Sequence, residues 1–233
     1  MRFAGGAAAD CRRWQRVFGA QLRRLLGPFQ PPREWNIATE RSVELEDHRR
    51  EELLLMAEGF RPLPLYLLTP RTGSSRRFPG ILALHGHGPF GNDPVVGIAT
   101  TEERRRNIAE ANYDYGLQLV RRGYVVAAPC FTPFGRRLDD PAAYEGQDPC
   151  AVTFIRMQAL GRILMAENLR DALWSLALLS RHDRVDPERL GCVGLSYGGR
   201  MTMLAAALAP NVRVAVISGA LNLMQERITG RYS

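Results

Sequence analysis

Short apolar runs alternate with amphipathic segments along most of this 233-residue chain. Residues 10–27 place Trp14, Val17, Phe18, Leu22 and Leu25 on one helical face, with Arg12, Arg13, Arg16, Arg23 and Arg24 over much of the rest, before Gly27-Pro28 ends the helix. A basic amphipathic helix either packs on the main domain with a solvated basic face or lies on a membrane. Pro28, Pro31 and Pro32 then make a linker. Glu52–Ala57 and Leu63–Thr69 are apolar runs joined at Glu58-Gly59-Phe60-Arg61, which predicts a hairpin. Pro62 and Pro64 confine the start of its second strand to an edge or irregular position. Arg71–Arg77 is a polar loop.

The run Gly80–Leu84 has no polar alternation and stops at His85-Gly86-His87-Gly88, as a central parallel strand stops at the rim of its sheet. A helix over 102–121, burying Ile108, Ala111, Tyr115 and Leu119, leads to a strand over 124–128. Residues 129–149 form a long irregular segment leaving the carboxyl end of that strand, where such sheets carry function. A helix over 153–180 and a turn at 183–187 precede the apolar run Leu190–Leu195. Then come a helical run from Arg200 to Leu208 and a last buried strand, Val212–Ile217. This rhythm predicts right-handed parallel units and an α/β fold. Residues 1–40 are expected to be an amphipathic helix and linker, and residues 41–233 the main domain.

Composition narrows the functional classes. The formal net charge is +7 and every basic residue is arginine, which has the character of a coding bias. No basic stripe interleaved with aromatics points to nucleic acid. Cys11, Cys130, Cys150 and Cys192 show no C-x-x-C and no metal-ligand spacing, and the spacing of Cys130 and Cys150 does not decide whether they pair. Cys192 reads as a small core residue. No apolar run is long enough to span a bilayer, and the N-terminus has no apolar signal core, so a cytoplasmic setting is the default. No metal or organic cofactor is implied.

The chemistry concentrates in Gly194-Leu195-Ser196-Tyr197-Gly198. The G-x-S-x-G pattern alone arises by chance in a glycine-rich chain; here an apolar strand precedes it and a helix follows. A serine on that turn projects its hydroxyl above the sheet, and the helix aims free N–H groups at it. With Leu84-His85-Gly86-His87-Gly88 and Asp186-Pro187-Glu188-Arg189-Leu190, these residues give the chain a resemblance to the α/β-hydrolase superfamily. More narrowly, it resembles the bacterial dienelactone hydrolase and acetyl xylan esterase-like branch. The resemblance implies a three-layer fold with a mostly parallel sheet. It also implies Ser196 as nucleophile, the Tyr197 N–H as one oxyanion donor and the His87 N–H as the second.

The chain departs from the family in one respect. A serine needs a base, usually a histidine oriented by a carboxylate, and in this superfamily both follow the nucleophile in sequence. After Ser196 there is no histidine and no aspartate, and Glu226 is the single acid. By that comparison the C-terminal strands carrying them are expected to be missing, leaving Val212–Ile217 as an edge that predicts self-association. Upstream, His48 reads as solvated and His182 lies at the wrong rim. His85 reads as shaping the oxyanion loop, and His87 either points into the cleft as a base or serves through its backbone alone. Asp93, Asp139, Asp140 and Asp148 read as turn or surface residues, and Arg136 and Arg137 face either solvent or a substrate carboxylate. Two functions follow: a serine hydrolase of small-molecule esters or lactones, or a non-catalytic relative that keeps the nucleophile turn.

Overall fold

The computed structural model describes residues 3–71 and 77–221. Most of the polar loop expected over 71–77, and Glu226, lie outside the described residues. Seven strands form one sheet: β1 (Asn36–Glu44), β2 (His48–Met56), β3 (Leu63–Pro70), β4 (Phe78–Leu84), β5 (Val125–Pro129), β6 (Val185–Leu195) and β7 (Val212–Ser218). Their order is β1-β2-β3-β5-β4-β6-β7. Six α-helices accompany them: α1 (Ala8–Leu26), α2 (Glu102–Ala111), α3 (Tyr115–Arg121), α4 (Pro149–Ala159), α5 (Leu164–Arg181) and α6 (Tyr197–Leu208).

The unbroken apolar runs have a simple cause: their residues serve two cores in turn. Leu65, Leu67, Leu82, Leu84, Val125 and Ala127 pack with Leu169, Trp174 and Met201 of α5 and α6. The intervening Tyr66, Leu68, Ala83, Val126 and Ala128 pack on the other side with Val95, Val96, Tyr113 and Val120. A strand buried on both faces has no polar position to spare.

The four runs expected to be parallel are so. β4 pairs with β5 (Gly80↔Val125) and β6 (Leu84↔Gly194), and β6 pairs with β7 (Leu195↔Ser218). The sheet as a whole is mixed, however, which corrects the expectation of a mostly parallel one. The pairings β1–β2, β2–β3 and β3–β5 are all antiparallel. Nor does the sheet show the expected loss of strands. It holds seven, and β7 pairs with β6 along its length. The tally from sequence fell short because β1 was hidden: its residues are mostly exposed and polar, so it carries no apolar signal.

Other differences have local reasons. β3 is an inner strand despite its prolines, since the carbonyl of Pro64 accepts from the Cys130 N–H at 2.9 Å just past the end of β5. The missing donor of Pro64 points to that same side, where the ladder needs none. The helix expected over 102–121 is two, broken where Asn112 adopts φ 48°. The helix expected over 153–180 is likewise two, broken at Gly161 with φ 67°. On α1 the contact with the core runs through Leu22 and Leu26, leaving Val17 and Leu25 exposed. β7 is largely exposed rather than buried: Val214 and Val216 border an open apolar groove of about 420 Å³ with Ile81 and Leu190. No helix among the described residues is long and apolar enough to cross a membrane.

The segment 129–149 is tied down by charge. Arg137 and Asp171 are both buried and form an ion pair between this segment and α5, and Arg170 adds a second bond to Asp171 at 3.0 Å. Replacing Asp171 by alanine would strand the Arg137 guanidinium in the interior. Asp171→Ala is expected to lower unfolding free energy by about 3–5 kcal/mol in urea titrations. The apolar double replacement Arg137→Met/Asp171→Leu should cost clearly less.

Candidate active site

The turn between β6 and α6 is built by exclusion of side chains. Ser196 sits at φ 55°, ψ −113°, is exposed, and caps the N-terminus of α6. Such a conformation costs a non-glycine residue of order 1–3 kcal/mol and persists only where the surroundings impose it. They do so here: a Cβ on Gly198 would lie 1.9 Å from the Leu84 carbonyl oxygen, and one on Gly194 would lie 2.3 Å from that of Gly198. The Ser196 N–H donates to the Ser218 carbonyl at 2.8 Å, joining the turn to the end of β7. The first turn of α6 thus crosses the end of β4 at backbone contact, with the serine above it.

The loop after β4 is fixed by neutral groups. The Phe131 N–H donates to His85 Nε2 at 2.9 Å, which makes Nε2 the unprotonated nitrogen. Nδ1 then carries the proton and donates to the Gly86 carbonyl at 2.7 Å. Complete burial disfavours the imidazolium and pushes the pKa of His85 down to about 4. The Gly86 N–H donates to the Tyr113 hydroxyl at 2.7 Å, and the Tyr115 hydroxyl donates to the Leu84 carbonyl at 2.6 Å. A Cβ on Gly86 would be 3.3 Å from that of Ser196, so this loop lies against the serine.

His87 is exposed, though part of its ring is covered. Its ring packs edge-on against Phe134 at 5.2 Å and Tyr197 at 5.0 Å. Its Nε2 lies 3.4 Å from the Cys150 Sγ at the start of α4. Burial lowers the pKa of His87, opposed by the charge of Asp148. No hydrogen bond joins His87 to Ser196. Beside it a small pocket of about 280 Å³ is lined mainly by Pro89, Pro133, Phe134, Leu138 and Pro149. The Tyr197 side chain runs inward, and its hydroxyl accepts from Asn168 Nδ2 at 2.7 Å.

A profile of the prolyl oligopeptidase family matches residues 159–223, which hold α5, β6, the Ser196 turn and β7. YtaP of Bacillus subtilis (strain 168), provisionally named a hydrolase, is 28% identical over 201 residues, 84% of this chain and 61% of its own. A Bacteroides fragilis NCTC 9343 structure, provisionally named an acetyl xylan esterase, superposes with a TM-score of 0.73 at 17% identity. That match covers 91% of this chain and 55% of the other. The glucuronoyl esterase from Solibacter usitatus gives a TM-score of 0.57 at 17% identity, over 89% and 58%. The fold is that of the α/β-hydrolases. The chain spans between 55 and 61% of the length of these three proteins.

Within this α/β-hydrolase fold the sequence-predicted residues fall into two groups. Ser196, Tyr197, His85 and His87 come together at one rim, where the serine turn, the loop after β4 and the 129–149 segment meet. The others are engaged in different contacts, although Asp148 also lines the pocket beside His87. His48 is buried rather than solvated, bonded to Asp47 at 2.5 Å beside the end of β3 that is remote from this rim. Asp93 accepts from Tyr66 and Arg104, Asp139 from Arg61, and Asp140 and Asp148 cap short helical segments. Arg136 pairs with Glu40 at 2.5 Å and stays exposed to solvent, whereas Arg137 is buried against Asp171 and takes neither the solvent nor the substrate role expected of it. Cys130 and Cys150 are not paired. Among the described residues no cluster of His, Cys, Asp and Glu could hold a metal.

Asn168, Tyr113 and Phe131 contribute and were not foreseen. For Asn168 a signal existed. Asn168, Asp171 and Ser175 recur at helical spacing within the apolar face of α5, and polar residues there need internal partners. His85 also gives the site a pH signature. Its folded pKa lies below the ordinary value of 6.5, so the unfolded chain takes the proton first. Its contribution to stability is whole above about pH 6.5 and is lost as pH falls toward 4, by about 3 kcal/mol. Denaturation midpoints measured across that window should fall less steeply in His85→Gln than in the unsubstituted protein.

Proposed function

We propose that this chain carries the nucleophile and the oxyanion donors of a serine hydrolase acting on carboxylic esters or lactones. The observation that carries the reading is Ser196: an exposed hydroxyl on a positive-φ turn, held at the N-terminus of a helix. Strain of this kind is kept where function requires it. Ser196 Oγ would attack the ester carbonyl carbon and lose its proton to a base. The carbonyl oxygen becomes an alkoxide facing the backbone N–H groups of Tyr197 and His87. The Gly86 N–H is already taken by Tyr113, which supports the next amide in the loop as the second donor. Collapse of this intermediate breaks the ester bond, and the alcohol leaves with a proton. Water then repeats the sequence on the acyl-serine. Relatives named for esterases of acetylated xylan and of glucuronoyl esters support the ester class.

The base is the piece these residues do not place. His85 is locked between two backbone groups, His87 turns to Cys150, and His48 and His182 lie elsewhere. On this reading none of these four histidines stands within reach of Ser196 as its base. The same observation favours a second reading, a non-catalytic relative that keeps the turn as a binding or structural feature.

Added imidazole separates the two, because the exposed serine admits a small base. With p-nitrophenyl acetate alone, the chain is expected to turn over within about twofold of Ser196→Ala. With imidazole added, intact-mass analysis should show one acetyl group, mapping to Ser196 and absent from Ser196→Ala. No acetyl-serine under either condition would leave the non-catalytic reading. Fast unassisted turnover lost in His87→Ala would make His87 the base.

Self-association belongs to the same proposal, since Val214 and Val216 are exposed on a strand at the edge of the described sheet. Light scattering on the eluting peak of a size-exclusion run should show a dimer or larger species. A monomer at all concentrations would overturn that part.

A further inference from the structure

We infer that Asn168 is a positioning residue for the oxyanion amide of Tyr197; this rests on the esterase reading above. Asn168 lies in the second turn of α5 with no exposed surface, and its amide is used on both sides. Oδ1 accepts the Thr132 N–H at 3.0 Å, while Nδ2 donates to the Thr132 carbonyl at 2.8 Å and to the Tyr197 hydroxyl at 2.7 Å. The paired bonds to one backbone residue settle which end is oxygen, since a flipped amide would set donor against donor and acceptor against acceptor.

Tyr197 is the first residue of α6, directly after Ser196. Its backbone amide faces the rim and its side chain descends between Phe131 at 6.0 Å, Phe134 at 5.9 Å and His87 at 5.0 Å. The tip of that side chain ends on Asn168. The ring therefore acts as a strut between α5 and the Ser196–Tyr197 peptide, and Asn168 fixes its foot. Through Thr132 the same amide holds the segment whose Phe131 N–H meets His85, and His85 in turn holds the Gly86 carbonyl. One buried side chain thus sets the distance between the two backbone segments proposed to carry the oxyanion donors. Packing alone does not require this. A leucine would fill the space, whereas the amide fits three polar groups that belong to one loop and to α6.

An oxyanion donor displaced from the developing alkoxide costs rate at the chemical step and leaves ground-state binding almost unchanged. The test is Ser196 acetylation by p-nitrophenyl acetate with imidazole present, resolved into a maximum rate and a half-saturation concentration. The proteins are the 233-residue chain, Asn168→Ala, Asn168→Asp, Tyr197→Phe and the double variant Asn168→Ala/Tyr197→Phe. Asn168→Ala and Asn168→Asp should lower the maximum rate by about 10–100-fold with half-saturation changed less than about threefold. Tyr197→Phe, which keeps the ring and removes only the acceptor, should lose about tenfold, and the double variant should fall well short of the product of the single effects. An unchanged maximum rate in Tyr197→Phe would overturn the inference, and that variant decides the matter even if the Asn168 variants fail to fold. Independent, multiplicative effects would overturn it too, as would a rate loss tracking thermal stability alone. Absence of acetyl-Ser196 from the unsubstituted chain would instead defeat the esterase reading, and this inference with it.

Discussion

The backbone contact between the first turn of α6 and the end of β4 is the constraint on which the rest of the site depends. Gly198 meets the Leu84 carbonyl so closely that even a methyl group has no room, and the His85 carbonyl lies 2.7 Å from the same point. That approach forces Ser196 into its positive-φ turn, since a relaxed backbone would carry the helix away from the sheet. It also brings the Gly86 loop against the serine. Ser196 and the loop proposed to face it are therefore products of one close approach, secured by β4 and β6 being neighbours in register.

Beneath this contact the polar groups are buried and uncharged. His85 joins the loop after β4 to the 129–149 segment as a neutral imidazole, Asn168 joins that same segment to α6 as an amide, and Tyr113 receives the Gly86 amide through its hydroxyl. An interior of low polarity strengthens such bonds provided each group has its partner, and it penalises charge. The charged pair that the region does contain, Arg137 with Asp171, is set further along α5 and anchors the 129–149 segment from behind. Neutral hydrogen bonds thus hold the segments next to Ser196, while the Arg137–Asp171 pair supports the long loop. With both ring nitrogens engaged in this way, His85 is not available as a base.

How much of this was legible beforehand depends on the range of the interaction involved. Gly194 and Gly198 flanking Ser196, between an apolar strand and a helix, announced the turn because its geometry is set within five residues. The runs at 80–84, 124–128 and 190–195 announced parallel strands because burial on both faces removes polar alternation; the run at 212–217 is also an apolar parallel strand, but a largely exposed one. β1 was silent, being an exposed outer strand whose polar residues repeat no apolar period. The breaks at Asn112 and Gly161 were muted because apolar periodicity continues across them. The prolines confined the start of β3 to an edge or irregular position, and its place as an inner strand was not legible because the position of Pro64 matters only relative to where β5 ends.

By itself, then, the sequence determined the local chemistry: a strained serine turn, a His-Gly loop at a strand end, and two faces of apolar side chains to bury. Those features arise from contacts between residues close along the chain, and side-chain type is enough to impose them. Tertiary structure decided what each polar residue is for. His85 became a fixed neutral bridge through a residue 46 positions away, and Arg137 and Asn168 found partners 34 and 29–36 positions distant. Such roles are set by desolvation and by which groups the packing brings within hydrogen-bond reach, and neither is defined until the sheet and helices have closed around them.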